Sequence, residues 1–233
     1  MKKWMLACLL LLQGCDNGAG GDRHIQEEES VRVMGTIDEQ LLQASEDGQA
    51  DKVRQLIQDG ANLDVQDAKG RTPLMIATYN KDFAVAEVLT EAGADVNLRD
   101  EMLNSPFLYA GAEGYLDILR LTIDAGADTK VTNRYGGIAI IPASEHGYVE
   151  VVRELLERTD TNVNHVNHLG WTALLEAIIL NNGNERQVET VKLLIEHGAD
   201  VNLADNDGVT PMQHARKRGF KEIERLLVNA GAK

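Results

Sequence analysis

The sequence predicts an all-α repeat solenoid, in which similar helical pairs stack side by side. A Gly-Ala pair recurs about every 33 residues, and a Thr-Pro-Leu-like tripeptide precedes it at an almost constant distance. Units that share two markers in register each contact their neighbours in the stack and do not surround a single cleft. The pairs are Gly60-Ala61, Gly93-Ala94, Gly126-Ala127, Gly198-Ala199 and Gly231-Ala232, and the tripeptides begin at Thr72, Ser105, Thr172 and Thr210.

Each unit contains the signals for two helices. A Thr or Ser oxygen can cap the backbone N–H groups at a helix start, and a following proline suits the first helical position, as in Thr72-Pro73. Leucine and valine pairs supply an apolar stripe for the second helix, and the glycine after it permits a left-handed turn. Small residues recur where neighbouring first helices must approach closely, at Ala77, Ala110, Ala143, Ala177 and Ala215.

These units resemble the ankyrin repeat. Gly70-Arg71-Thr72-Pro73-Leu74 matches the start of that repeat, and Gly198-Ala199-Asp200-Val201-Asn202 matches its end. The resemblance implies about six stacked repeats over residues 37–233, each a helix-turn-helix with a projecting turn. The units begin near Ile37, Gly70, Leu103, Gly136, Gly170 and Gly208.

The two end units are polar on one side. Unit one lacks the tripeptide and carries Asp38, Glu39 and Gln43 around Leu41-Leu42. Unit six interleaves charges with apolar residues in its last helix. Terminal repeats need a polar outer face for solubility, so we expect capping end repeats and a monomer when the protein is free.

Three departures from the repeat are expected to alter the stack locally. Unit five holds five extra residues around 181–185, which predicts a longer loop opposite the turns and leaves open whether that loop is functional. Unit four replaces its Gly-Ala-Asp by the run 159–162, so its second helix must end differently. Pro142 lies inside a first helix and predicts a kink there.

The N-terminus resembles a bacterial lipoprotein signal peptide over residues 1–14. Two lysines precede the apolar run 4–12, which is too short for a permanent membrane helix. The run ends in Leu12-Gln13-Gly14-Cys15, similar to a lipobox, and Cys15 would receive the diacylglycerol. An ordinary secretory signal is the alternative. The next residue, Asp16, resembles an inner-membrane retention signal, so the resemblance implies a periplasmic protein, with the choice of membrane left open.

Residues 15–36 are expected to be a lipidated, flexible and acidic tether. They are rich in glycine and acid, and about 20 such residues reach roughly 25 Å. Removal of the first 14 residues leaves 21 basic and 37 acidic residues, so the net charge falls from −14 to −16. That charge argues against nucleic-acid binding and against a polybasic membrane contact, which leaves the N-terminal lipid as the only expected membrane contact.

The resemblance also implies a binding surface, because ankyrin repeats use their turn tips and the exposed sides of their first helices. These form a concave face, and Tyr, Trp and Arg are enriched among interface hot spots. Scattered surface residues are the alternative interpretation. The residues mapped onto this face are Arg71, Tyr79, Met102, Arg134, Tyr135, His146, His168 and Trp171.

The sequence gives no indication of catalysis. It lacks the metalloprotease, serine-hydrolase, phosphate-loop and Cys-x-x-Cys motifs. Both cysteines, Cys8 and Cys15, lie at the N-terminus, and His165 and His168 have no evident third metal ligand. We therefore expect no enzyme activity, no catalytic residue, no metal and no cofactor.

With catalysis and nucleic-acid binding disfavoured, we expect a binding protein that is displayed outside the cytoplasm. Our first hypothesis is a scaffold whose concave face binds one specific protein, for example as an immunity-type inhibitor of a basic toxin. A second is an accessory or stabilising partner of a periplasmic enzyme, such as one in oxidative-stress defence. A third, from another class, is a structural spacer. The sequence leaves the identity of the partner open.

Overall fold

The computed structural model describes residues 35–233, and this part of the chain folds into twelve α-helices without a strand. The predicted signal peptide 1–14, Cys15, Asp16 and nearly all of the tether 15–36 lie outside the described residues. Within 35–233, no helix is long and apolar enough to cross a membrane.

The helices form six consecutive pairs, one for each predicted unit. Odd-numbered helices are the inner ones and even-numbered helices are the outer ones. The pairs are α1 (Ile37–Glu46) with α2 (Ala50–Gln58), α3 (Pro73–Tyr79) with α4 (Phe83–Glu91), α5 (Pro106–Glu113) with α6 (Leu116–Asp124), α7 (Ile140–His146) with α8 (Val149–Arg158), α9 (Ala173–Ile179) with α10 (Glu185–Glu196), and α11 (Pro211–Arg218) with α12 (Lys221–Asn229).

Each helix packs on its pair and on the equivalent helix of the next unit. The inner helices contact one another in the order α1, α3, α5, α7, α9, α11, and the outer helices follow the same order. One apolar core runs from Leu41 to Leu227 through all six units. The predicted all-α solenoid is therefore confirmed.

The predicted helix caps are present. The side-chain oxygens of Thr72, Ser105, Thr172 and Thr210 each accept a hydrogen bond from the backbone N–H three residues later. Such a cap contributes about 1 kcal/mol. The recurrent alanines of the inner helices, Ala77, Ala110, Ala143, Ala177 and Ala215, have no exposed surface. Their small side chains let adjacent inner helices lie close together.

Pro142 does not interrupt α7, which corrects the predicted kink. The helix begins only at Ile140, so Pro142 lies in its first turn, where backbone N–H groups have no helical acceptor. In the other units, the residue at this position donates to the backbone oxygen of the capping residue, as Ile76 does to Thr72. Unit four lacks that donor, and Ile138 O accepts from Ile141 N at 3.0 Å instead.

The insertion in unit five lengthens both a loop and a helix. The connection between α9 and α10 has five residues, 180–184, and α10 has twelve residues where α4 has nine. Asn184 caps the extended helix by accepting from Arg186 N and Gln187 N. Only part of the insertion therefore forms the longer loop that we predicted.

The outer helix of unit four ends without a left-handed residue. Thr159 follows Arg158 in an extended conformation, with φ of −131°. Its hydroxyl donates to Leu155 O at 2.5 Å, which satisfies a carbonyl at the helix end. This is the different termination that the missing glycine predicted.

Candidate protein-binding face

Five projecting turns are built in the same way. In each, one side-chain oxygen of an Asp or Asn accepts hydrogen bonds from the backbone N–H groups two and four residues later. The residue two positions on from the Asp or Asn is thereby held at the tip of its turn. The turns are anchored by Asp67, Asp100, Asn133, Asn167 and Asp205.

The residues at these five tips form what we call the tip row: Lys69, Met102, Tyr135, Leu169 and Asp207. Its three central members are large apolar side chains with exposed fractions of 48%, 55% and 55% for Met102, Tyr135 and Leu169. The backbone links neighbouring turns, since Glu101 N donates to Lys69 O and His168 N donates to Tyr135 O. The tip row is thus apolar in its centre and charged at both ends.

The turn of unit three carries an unusual residue beside the row. Leu103 has φ of 63°, at the position where Gly70, Gly136 and Gly170 have φ between 72° and 80°. A left-handed conformation is unfavourable for a leucine by roughly 1–2 kcal/mol. Leu103 is also 45% exposed, so burial does not compensate for the strain. The unit therefore carries a strained apolar residue on its surface.

A depression of about 350 Å³, which we call the central hollow, lies beside the tip row on the exposed side of α5, α7 and α9. Its volume falls within the range of roughly 300–1,000 Å³ that is typical of ligand sites. Its wall includes Glu113, Tyr135, Glu145, His146, Leu169, Trp171, Glu176 and Leu180. Aromatic, apolar and acidic side chains thus meet there.

Glu176 is a nearly buried carboxyl group at the central hollow. Only 6% of the residue is exposed, and its Oε1 accepts a hydrogen bond from Asn167 Nδ2 at 2.8 Å. Burial, and to a smaller extent the negative charge of Glu145, raise the pKa of Glu176 to about 7. The Asn167 hydrogen bond lowers the pKa, but to a smaller extent. The carboxyl therefore gains and loses its proton near neutral pH.

The structure sorts most of the predicted site residues into two groups. Tyr135, His146 and Trp171 line the central hollow, whereas Arg71, Tyr79 and Met102 surround a second depression at units two and three. The other two lie at the turns of units four and five. The guanidinium of Arg134 lies 4.8 Å from the ring centroid of Tyr135, and the ring of His168 lies against Gly136.

Two of the residues predicted to bind a partner, Tyr79 and Arg71, also form contacts within the stack. Tyr79 donates from its hydroxyl to Asp100 Oδ2 at 2.5 Å and accepts from Asn104 at 3.0 Å. Burial and the Asp100 hydrogen bond raise the pKa of Tyr79 to about 12. Arg71 forms ion pairs with Asp67 at 2.7 Å and Glu46 at 3.6 Å. Both side chains join adjacent units.

Glu176 was absent from the residues predicted for the binding face, whereas Leu169 occupies the same turn-tip position as the predicted residues Met102 and Tyr135. Glu176 lies nine residues after the turn residue Asn167, and His214 has the same spacing from Asp205, to which it is bonded at 2.7 Å. This spacing indicates a side chain that bonds back to its own turn.

The described residues contain no group of three His, Cys, Asp or Glu side chains placed to hold a metal ion. His165 Nε2 lies 2.7 Å from Gly136 O, and is therefore used by the backbone. The face of residues 35–233 that carries the tip row presents apolar tips, aromatic rings and carboxyl groups.

The repeats place the chain in the ankyrin-repeat family. The family profile described as "Ankyrin repeats (3 copies)" matches residues 6–100, 107–205 and 143–233. Together these matches cover most of the sequence. The chain therefore belongs to this family, as its motifs and its stacked helical pairs indicate.

Known proteins with the same architecture include both bacterial and other ankyrin domains. The ankyrin repeat protein YahD of Escherichia coli (strain K12) is 42% identical over 191 residues, which are 82% of this chain and 95% of YahD. An ankyrin repeat domain of Acinetobacter baumannii AYE is 53% identical with a TM-score of 0.81, covering 83% of this chain and 98% of that domain.

The ankyrin repeat domain of Bcl-3, a member of the IkappaB protein family, is 28% identical with a TM-score of 0.74. The alignment covers 83% of this chain and 86% of the Bcl-3 chain. The ankyrin architecture is thus similar across these proteins.

Proposed function

We propose that this protein binds one specific protein partner through the tip row and the central hollow. The observation that carries the proposal is the succession of three exposed apolar tips, Met102, Tyr135 and Leu169, each held by its own turn. Contiguous exposed apolar surface beside a polar rim is typical of protein interaction sites. Because the turns are already ordered, docking loses little conformational entropy.

The proposal includes a location at a bacterial membrane, on the periplasmic side. A signal peptide ending in the lipobox Leu12-Gln13-Gly14-Cys15 supports this, and so does the acidic, glycine-rich run that follows. The lipid on Cys15 would hold the protein, and the tether 15–36 would let the repeats meet a soluble partner. The aspartate at position 16 supports the inner membrane.

We further propose that the partner is a basic toxin whose active site the concave face covers, so that the protein acts as an immunity-type inhibitor. The formal net charge, −14 for the full sequence and −16 after removal of residues 1–14, supports this form of the function, because opposite charges accelerate encounter. Support of a resident periplasmic enzyme would use the same face. The two roles differ in whether binding inhibits or stabilises the partner, which an activity assay on the captured protein decides.

Affinity capture with the full chain tests the binding function. The test variant combines Met102→Ser, Tyr135→Ser and Leu169→Ser. A matched control combines Phe83→Ser and Val228→Ser, which are also exposed apolar residues, at 40% and 56%, but lie on outer helices. We expect one protein to be retained by wild type and control and lost with the test variant. Equal retention by both variants would contradict binding through the tip row, and the absence of any retained protein would support a structural spacer.

Mass spectrometry of the mature protein tests the membrane location. We expect an N-terminus at Cys15 carrying diacylglycerol, and we expect Cys15→Ser to abolish lipidation. An N-terminus at any other residue, or a mature protein without lipid, would contradict this part of the proposal.

A further inference from the structure

The central hollow has an uneven distribution of charge. Three acids, Glu113, Glu145 and Glu176, line the central hollow. No lysine or arginine is among its lining residues. These acids belong to three successive inner helices, α5, α7 and α9. A site with this lining favours a cation over an anion or a neutral group.

Glu176 has unused hydrogen-bonding capacity. Asn167 donates to its Oε1, while its Oε2 has no hydrogen-bond partner among residues 35–233. In unit six, His214 occupies the position that Glu176 has in unit five. His214 forms an acid–base pair with the turn residue Asp205. Unit five replaces that pair by an amide and a carboxyl, so nothing in the unit balances the charge of Glu176. Glu176 is only 6% exposed as a residue, and such burial makes its ionised form costly unless a donor or a cation lies beside it.

The remaining wall of the central hollow suits an alkyl stem and a flat group. Leu169 and Leu180 are 55% and 46% exposed, and Tyr135 and Trp171 add aromatic surface on the same wall. Arginine combines an alkyl stem with a planar guanidinium that stacks on aromatic rings and donates to a carboxylate in a bidentate manner. Lysine offers a compact ammonium without that planarity.

We propose that the central hollow receives an arginine side chain from an exposed segment of the protein partner, with its guanidinium bonded to Glu176 and Glu145 and its stem against Trp171. The proposal rests on the proposed function, because it names the chemistry of the partner at the same face. It also makes binding depend on pH. The ionised form of Glu176 binds the cation, so affinity rises as pH increases through the pKa of about 7.

Other titratable side chains on the packed helices could contribute to this pH dependence. They are Glu113 on α5, Glu145 and His146 on α7, and His214 with its partner Asp205 in unit six. Comparison of wild type with Glu176→Gln isolates the contribution of Glu176, since the amide oxygen of glutamine can still accept from Asn167 but does not titrate.

The peptide acetyl-Gly-Arg-Gly-amide is the probe, and the Trp171 indole N–H resonance is the reporter. The full chain carries Trp4→Phe, so that Trp171 is the single tryptophan. We expect the arginine peptide to bind at pH 8 at least about fivefold more tightly than its citrulline and lysine analogues, because of its charge and planarity. With a pKa of about 7, wild-type affinity should rise about tenfold between pH 6 and pH 8.

Glu176→Gln should lose the preference for arginine and most of the pH dependence, whereas the exposed control Glu91→Gln should keep both. If Glu176→Gln fails to fold, Glu145→Gln replaces it and should weaken binding at least about twofold through the lost charge. Equal binding of the citrulline peptide, equal binding of the lysine peptide, or no binding would overturn the proposal. Those results would leave the proposed function intact if a partner is still captured through the tip row.

Discussion

Replacement of Glu176 by glutamine should stabilise the protein, and the gain should grow with pH. The pKa of Glu176 is raised from 4.5 to about 7 in the folded state. The folded state therefore binds more protons than the unfolded state between these values. Because stability falls with pH wherever the folded state binds more protons, Glu176 destabilises the wild type increasingly from about pH 4.5 to above pH 7.

The size of the effect follows from the shift in pKa. A shift of one unit corresponds to about 1.4 kcal/mol, so the full penalty in wild type amounts to about 3 kcal/mol at pH 8.5. At pH 4.5 the same linkage leaves only about 0.4 kcal/mol. Glutamine is uncharged and keeps an oxygen for Asn167, so it should avoid this penalty without losing the hydrogen bond.

Urea denaturation of wild type and Glu176→Gln at pH 4.5, 7.0 and 8.5 measures the difference directly. Other titrating groups are common to both proteins and cancel in the comparison. We expect similar midpoints at pH 4.5 and a clearly higher midpoint for the variant at pH 8.5. A difference that is constant with pH, or a less stable variant at pH 8.5, would refute the assignment of a buried, reluctantly ionised carboxyl to Glu176.

Three further substitutions probe the stack. Leu103→Gly should raise the unfolding free energy by about 0.5–1 kcal/mol, because removal of left-handed strain outweighs the extra entropy of glycine in the unfolded chain; a lower urea midpoint would contradict this. Tyr79→Phe should lower the unfolding free energy by about 1–2 kcal/mol, because the hydrogen bond to Asp100 is lost, and should leave partner capture unchanged. Impaired capture at unchanged stability would place Tyr79 in the interface. Leu174 is 1% exposed, so Leu174→Ala should lower the unfolding free energy by about 3 kcal/mol in urea denaturation. A loss below about 1 kcal/mol would indicate a loosely packed core.

The fold was predictable because each unit repeats the same local signals. Thr72 and its equivalents cap helices by a contact only three residues away, so spacing alone places them. Pro142 was misjudged because the sequence does not show where α7 begins. The helix starts one residue later there, since the carbonyl of Ile138 accepts from Ile141 when Pro142 offers no donor. That adjustment depends on backbone geometry.

The binding face was only partly predictable. Tyr135, His146 and Trp171 could be placed together because turn tips and inner helices face the same side of the stack. Tyr79 was mapped onto the same face, yet its hydroxyl is bonded to Asp100 and to Asn104 of the next unit. Glu176 was missed because its burial depends on three helices at once. Contacts between units decide whether a side chain at a surface position is available to a partner. The sequence of a single repeat does not show these contacts.

Site-specific photo-crosslinking in the native cells tests the central claim most directly. A photoreactive residue is placed at Tyr135 or Leu169 on the tip row, and at Val228 on α12 as the control. We expect both tip positions to crosslink to the same single protein, and Val228 to give no such product. Crosslinks that are absent from the tip row, or identical at Val228, would contradict binding through the concave face.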